Sequence, residues 1–524
     1  MSKTIITVGK NHEYDLVGPP LGEGVPGALN DQDVTPEQFE KYQRMFPNVR
    51  VRRWSDSGLA ERVIDLYGDR IRYNPAFKTH YVWNEETRLW QETDHGAFVH
   101  LVGKVITEHL PCEDLFYSEA KVERGGKLVS ERDDFRRWRR SVDTEARFNA
   151  VARFLTSFPE LRITLDDFDK DPWTLNTPNG VIDMRERSRS PRPAEPGDML
   201  TRVTGVGIDE VGTEPFEFEK FLHLVQPNPE HRKYLQVLLG MAAYGDPGEH
   251  MFVFHQGEGG NGKGVLLRLL NMVLGDYYRT ASRTGLTVAG NTFEESTWPG
   301  VRLLVGDEMG NADLDQNKLK DLTGGGQIMA NAKHKPHAPF TPRFSLHLCG
   351  NEWPTLANTD SIERRYRPVA WTVKPSSDEW AQFQRNGQKD PADYLFEEEG
   401  EQILSWILAG YLTYRVHGLN VPQDLQDMAA EQLLANDSVT LFATSCLVAD
   451  DGWDDDSADG CFKISQKEMY SQYKRWCRQA GHTAQGVKQF NRDLRKCASG
   501  LGFAHNASRG RPAWVGVRYE ESDD

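Results

Sequence analysis

Met251-Phe252-Val253-Phe254-His255-Gln256-Gly257-Glu258-Gly259-Gly260-Asn261-Gly262-Lys263-Gly264-Val265-Leu266-Leu267-Arg268-Leu269-Leu270 is the stretch that decides the fold. Met251 to Phe254 is a short apolar run of strand type, and Val265 to Leu274 has the apolar density of a buried helix. Between them Gly257 to Gly264 fits G-x-x-x-x-G-K. Glycines let backbone N–H groups curl around a phosphate without Cβ clashes. Lys263 adds a point charge near the β- and γ-phosphates, and the helix beginning near Gly262 aims its positive end at the same anion. The nucleotide-binding residues are therefore Gly257, Glu258, Gly259, Gly260, Asn261, Gly262, Lys263, Gly264 and Val265. A glycine-rich surface turn is the alternative, and the flanking strand and helix weigh against it. The pattern departs in one place: the usual Ser or Thr after the lysine, a magnesium ligand, is Gly264, so a water would have to complete the metal shell.

Nucleotide hydrolysis needs a second, carboxylate-bearing strand. Val301-Arg302-Leu303-Leu304-Val305-Gly306 is apolar and ends in Asp307-Glu308, 44 residues after Lys263. Asp307 is assigned to the metal and Glu308 to the base that polarises the attacking water. A surface acidic pair is the other reading. A third run, Phe344 to Cys349, alternates and ends at Gly350-Asn351, where Asn351 would hold the lytic water or touch the γ-phosphate. A turn asparagine before Trp353-Pro354 is the alternative. Beyond it, Arg364 and Arg365 are candidates for an arginine finger reaching a neighbouring subunit's nucleotide, or else ordinary arginines on a solvated helix.

Outward from this core the chain divides. Its 524 residues allow three or four domains. The expected units are a mobile Gly/Pro/Asp/Asn-rich arm at 1–50, a mixed α+β accessory domain at 51–215, the ATPase domain at 216–380, a helical extension at 381–445 and a basic module at 446–524. Helices are expected at Ala60 to Tyr67, Phe98 to Leu110, Thr144 to Phe154, Phe216 to Val225, His231 to Tyr244, Ile403 to Tyr414 and Leu425 to Leu434. Tyr81 to Trp83 and Arg88 to Trp90 read as a hairpin. Asn176 to Met184 reads as a turn followed by a short strand. The acidic run Asp450 to Asp459 reads as a solvated loop. No run approaches 18 uncharged apolar residues, which excludes a transmembrane helix. With no secretory apolar core at the N-terminus, a cytoplasmic protein is expected. None of the six cysteines forms a CxxC pair, so free thiols are expected rather than a zinc site.

The net charge of −16 argues against a general nucleic-acid coat, but the C-terminal segment reverses it. Phe462 to Arg518 carries twelve basic residues against two acidic ones. Ser465-Gln466-Lys467-Glu468 has the form of a capping box. Met469, Tyr470, Tyr473 and Trp476 would line one helix face. A second helix, with Val487, Phe490, Leu494 and Leu501 inward, would present Lys488, Arg492, Arg495 and Lys496. A hairpin with Arg509 and Arg511 at its tip completes a winged helix suited to duplex phosphates. Contact with the protein's own acidic body is the alternative.

The set Gly257 to Gly264, Leu303 to Glu308, Leu322-Thr323-Gly324-Gly325-Gly326, Leu348 to Pro354 and Asp360 to Arg365 resembles superfamily 3 helicases. The likeness is to phage and plasmid primase–helicases of the satellite-phage type, related to the poxvirus nucleoside-triphosphatase family. Asn176 to Asp183 is similar to the end of that family's accessory domain, and the resemblance runs over roughly residues 55 to 520. It implies an α/β P-loop core of the AAA+-like kind and a homo-hexameric ring using ATP and Mg2+. It further implies movement along single-stranded DNA, 3′ to 5′, with the arginine finger supplied in trans. A central-channel hairpin would hold the DNA backbone with Lys333, His334 and Lys335, or else be a solvated tip. Glu363 stands where the family often has an aromatic residue before the arginine. Duplex or forked DNA would meet the C-terminal module, with primase, polymerase or initiator proteins as further partners and the host cytoplasm as the compartment if the gene is phage-borne. Leu165-Asp166-Asp167-Phe168-Asp169 reads as a turn cluster rather than a primase carboxylate motif.

Two other readings remain open: an origin-melting initiator ATPase, or a primase–helicase whose primase role is supplied elsewhere. A non-enzymatic, nucleotide-gated DNA scaffold is a third, suggested by Gly264.

Overall fold

The computed structural model describes residues 52–520 except 115–116, 125, 187–189, 210–211, 246–247, 288–293, 311, 313, 331–337, 355, 357–358, 385–389, 436, 450–461, 483, 499 and 507–511, together with the backbone of 6–7 and 13–14. The expected arm, the acidic run at 450–459 and the basic tips with Lys333, His334, Lys335, Arg509 and Arg511 lie outside the described residues, the arm apart from two short paired strands.

The centre is a five-stranded sheet. Its strands are β1 (Phe252–Gln256), β2 (Tyr278–Ala281), β3 (Leu303–Gly306), β4 (Ser345–Gly350) and β5 (Tyr366–Ala370), in the order β2-β3-β4-β1-β5. All neighbours run parallel. Parallel strands need crossovers and are covered on both faces, so they read as near-continuous apolar runs. β3 and β4 are buried at every position.

Helices α1 (Phe216–Val225), α2 (Pro229–Tyr244) and α3 (Lys263–Leu274) cover one face, joined by the long α4 (Pro391–His417). Their buried side chains form one cluster with the sheet, including Phe218, Leu238, Leu270, Val305, Ile403 and Leu408. Each such side chain contributes about 1.5–3 kcal/mol on burial. The opposite face, with Phe254, Leu304, Leu346 and Leu348, buries Trp298, Leu319, Phe340 and Ile362.

Buried clusters cut the chain differently from the boundaries read off the sequence. A separate N-terminal core gathers residues from Leu59 to Leu161. The hairpin Thr174–Thr177 with Gly180–Asp183 joins the sheet's own cluster through Leu175 and Ile182, and Asn176 N–H donates to Tyr277 Oη at 3.2 Å. α4 is no detached extension either, because its buried side chains share one cluster with α1, α2 and α3, Phe218 of α1 meeting Trp406 edge-on at 5.1 Å. At the other end, α5 (Ser438–Cys446) supplies Val439 and Phe442 to the C-terminal core, so that unit begins before residue 446.

That last unit runs α5, strand Lys463–Ser465, α6 (Gln466–Ala480), α7 (Val487–Ala498), and strands Ala504–Asn506 and Ala513–Val515, the three strands forming one antiparallel sheet. Ser465 Oγ accepts from Glu468 N–H at 3.2 Å, the forward half of the expected cap. Met469, Tyr473 and Cys477 of α6 pack on Phe490, Leu494 and Ala498 of α7. The expected inward Leu501 lies beyond the end of α7. The helix expected over Phe98 to Leu110 is interrupted: α-helix His95–Lys104 gives way to a π turn at Val105–His109. Among the described residues no helix is long and apolar enough to cross a membrane.

Candidate functional site

In a parallel sheet all strands end on the same edge, and that edge is where a ligand meets loops of several strands. β1 ends in the glycine turn, β3 in Asp307-Glu308 and β4 in Asn351. The registers Gln256↔Gly350 and Gly306↔Leu348 place the three ends side by side.

The glycine turn is held from both flanks. Gly257 N–H donates to Gly350 O at 3.1 Å. Asn261 is buried; its Nδ2 donates to Trp371 O at 3.0 Å while its Oδ1 accepts from Lys263 N–H at 3.3 Å. A Cβ on Gly257 would stand 2.2 Å from Asn261 Nδ2 and 2.5 Å from Trp371 O, so only glycine fits. Gly262 has φ +89°, and a Cβ there would meet Val225 Cγ1 at 2.5 Å. Gly262 caps α3 without a side-chain hydrogen bond, and beyond Lys263, whose N–H is held by Asn261, the next N–H groups of the first turn stay available for an anion.

Lys263 is 9% exposed and its Nζ donates to Gly257 O and to Gly350 O, both at 2.9 Å. The lysine thus ties the turn to the tip of β4. Burial lowers its pKa, opposed by Cys349 and Asp307. Gly264 is exposed, and a Cβ there would have no heavy atom within 4 Å. The missing hydroxyl is therefore not excluded by space.

Asp307 and Glu308 are exposed. Asp307 Oδ1 accepts from Glu308 N–H at 2.9 Å, and Met309 N–H donates to Cys349 O at 2.6 Å. Glu308 is left-handed, with φ +55°. A non-glycine residue held there is strained, and such strain clusters at functional sites. Asn351 is exposed, with its carbonyl accepting from Gln256 Nε2 at 2.9 Å. Lys263, Asp307, Glu308 and Asn351 therefore share one edge, and Asp307 is the carboxylate best placed to hold a divalent cation beside the turn.

Arg364 and Arg365 do not join them. They precede β5, whose register starts at Phe252↔Tyr366 and ends at Gln256↔Ala370. One strand of five residues, about 16 Å at 3.3 Å per residue, separates them from their own glycine turn. The two arginines differ. Arg365 is 8% exposed and its Nη1 donates to Ser361 O at 3.0 Å. Arg364 is exposed.

The strands Ile328–Ala330 and Ala338–Phe340 pair antiparallel on either side of residues 331–337. On α7, Lys488, Arg492, Arg495 and Lys496 are all exposed, opposite the buried Phe490 and Leu494. Lys496 Nζ reaches 3.9 Å from Asp360 Oδ1.

Sequence reading missed the supports beneath the turn. Trp371 Nε1 donates to His255 Nδ1 at 3.2 Å, and His255 Nε2 pairs with His347 Nδ1 at 3.0 Å, both histidines buried. Gln226 Nε2 donates to Ala370 O at 2.8 Å. Nothing in spacing marks these residues; only the three-dimensional register brings them under the turn.

Comparison with known proteins gives three family matches. Residues 60–227 match the D5 N terminal like family, 255–365 match a family of unknown function, and 434–521 match the Poxvirus D5 protein-like family. Among curated proteins, a candidate helicase of Acanthamoeba polyphaga mimivirus, L207/L206, is 26% identical over 280 residues, 49% of this chain and 29% of that protein. A candidate helicase of Invertebrate iridescent virus 3, 121R, is 22% identical over 389 residues, 67% of this chain and 39% of that protein. The chain therefore spans about a third of the length of these relatives. Among solved structures, the apo C-terminal region of NrS-1 aligns with a TM-score of 0.44 and 10% identity, over 85% of this chain and 95% of that one. D5-type segments thus flank the parallel sheet on both sides, and the likeness of the chain is to the phage and viral primase–helicase family.

Proposed function

We propose that the protein is the ATP-hydrolysing motor of a replicative DNA helicase, built on a superfamily 3 P-loop core and working as a homo-hexameric ring on single-stranded DNA. The observation that carries this reading is the convergence on one sheet edge. Lys263 Nζ joins the glycine turn to β4 at 2.9 Å, with Asp307, Glu308 and Asn351 on the neighbouring strand ends.

The turn and the first N–H groups of α3 bind the phosphates of ATP, and Lys263 exchanges its two carbonyl partners for phosphate oxygens. Asp307 is the residue that would hold Mg2+, and Gly264 would offer it no hydroxyl. When bound, the ion would supply neutralisation of the phosphate charge. Glu308 orients and deprotonates the attacking water, and Asn351 positions it against the γ-phosphate. Arg364 serves a neighbouring subunit, since its own turn is a strand's length away. The hairpin carrying Lys333, His334 and Lys335 contacts single-stranded DNA in the channel.

The C-terminal unit has the element order of a winged helix, helix–strand–helix–helix–hairpin, and α7 offers Lys488, Arg492, Arg495 and Lys496 to duplex or forked DNA, with Arg509 and Arg511 on the hairpin.

Magnesium-dependent ATP turnover is the test. Lys263→Ala and Glu308→Gln are each expected to lower it at least a hundredfold, an effect of about 3 kcal/mol on the barrier. Equal turnover in wild type and Glu308→Gln would remove Glu308 from the mechanism. Turnover without strand displacement on a forked substrate would favour an origin-melting initiator.

A further inference from the structure

The glycine turn has a second cationic neighbour that no sequence motif marks. Beyond β5 the chain passes directly beneath the turn: Trp371 N–H donates to Gln256 O at 2.7 Å, and Trp371 O accepts from Asn261 Nδ2 at 3.0 Å. Three residues later the side chain of Lys374 arches over Gly260. A Cβ built on Gly260 would lie 3.3 Å from Lys374 Cε and 3.9 Å from its Cγ, and Gly260 has φ +84°. Lys374 is exposed, and among the described residues no hydrogen bond or ion pair engages its ammonium. Its stem is placed by the turn while its charge is unspent.

The charge balance of the cradle gives that ammonium a purpose. Glu258 lies within the turn and Asp307 and Glu308 end the neighbouring strand, whereas the turn itself carries one lysine, Lys263. Lys263 is itself tied to two carbonyls, and Gly264 contributes nothing to a metal shell. A triphosphate entering this edge meets backbone N–H groups and one buried lysine on the β4 side. On the β5 side the lysine lying over Gly260 offers a further cation.

We propose that Lys374 is a second phosphate-binding lysine, closing on the phosphate chain of the bound nucleotide from the β5 side of the turn. This rests on the nucleotide-site reading above and adds a binding residue to it. A freely rotating ammonium brings three donors to anionic oxygens. It acts on the polyphosphate and not on the base or sugar, so affinity should track phosphate charge.

The test is equilibrium binding of a non-hydrolysable ATP analogue with Mg2+ to the full chain, for wild type, Lys374→Met, Lys374→Arg and Lys263→Ala. Methionine keeps the stem on Gly260 and removes the charge. Lys374→Met is expected to weaken binding about tenfold, the scale of one charge-assisted contact, and to flatten the salt dependence of affinity. Lys374→Arg is expected to restore most of the affinity. The melting temperature of the nucleotide-free protein should be the same in wild type and Lys374→Met. Wild-type affinity in Lys374→Met, alongside lost binding in Lys263→Ala, would overturn the role of Lys374 and leave the nucleotide site standing. A lowered melting temperature in Lys374→Met that accounted for the weaker binding would also overturn it. Absence of analogue binding by the wild type would overturn both readings.

Discussion

Glu308 combines two demands on one residue. Its carboxylate is the proposed base, and its backbone is left-handed at φ +55°, a conformation that costs a non-glycine residue about 1–2 kcal/mol. The cost is met locally by Asp307 Oδ1 on its N–H and by the following Met309–Cys349 bond. Glu308→Gly should therefore melt at a higher temperature than wild type, by the equivalent of about 1 kcal/mol, while losing turnover. Glu308→Gln should lose turnover at unchanged melting temperature. A glycine variant melting below wild type would show that the side chain supports the fold rather than straining it. The two arginines separate in the same manner. Arg365 is buried and bonded to Ser361 O, whereas Arg364 is exposed. Arg365→Ala should lower the melting temperature. Arg364→Ala should leave it unchanged, yet lower turnover in the assembled protein by about a thousandfold. Mixing Arg364→Ala with Lys263→Ala subunits should recover part of the activity if the arginine acts across an interface; no recovery in the mixture would place it elsewhere.

At the scale of elements, β1 and β4 share a buried polar chain that their apolar neighbours conceal. Trp371 donates to His255 Nδ1, so a neutral His255 carries its proton on Nε2 and donates to His347 Nδ1. Burial lowers the pKa of His347 to about 3 and that of His255 well below the usual value, with His347 adding to the latter shift. In the N-terminal core, burial lowers His109 to about 4. Unfolded histidine titrates near 6.5, so between that value and the folded pKa the unfolded chain binds more protons. Stability is complete above pH 6.5 and is lost as pH falls below it, by up to about 1.4 kcal/mol per pH unit for each such ring. Thermal melts at pH 7.5, 6.0 and 5.0 should shift steadily downward. A constant melting temperature over that range would contradict the neutral pair.

For the molecule as a whole, the strand–turn–helix at 252–274, the two acidic and polar strand ends and the basic C-terminal unit were legible because each couples a period to a chemistry. In the three strands a run of period two or of continuous burial ends abruptly in glycine, acidic or amide residues, a change of pattern that can be read locally. How α4 and the 174–183 hairpin join the sheet's cluster was not legible, because α4 packs on α2 and α3 more than a hundred residues before it and the hairpin reaches forward to Tyr277. α5 was missed because Ser438–Cys446 is a nine-residue helix, and its Val439 and Phe442 gain meaning only against Tyr473 and Phe490. That has a practical outcome. Removing residues from 460 onward strands α5 with its apolar side uncovered, and the product should aggregate. Removing residues from 436 onward takes away the entire unit, and should leave ATP turnover largely intact while weakening duplex binding. Unchanged duplex affinity after the longer deletion would remove the C-terminal unit from DNA contact. One further outcome follows from β5. The strand begins beside Arg364 and finishes at Ala370, whose successor Trp371 holds the glycine turn through Asn261. In a closed circle of subunits each copy of β5 would be a stiff rod with its tail at one fuel chamber and its head at the next. Displacing the tail of such a rod at one chamber would displace its head at the next.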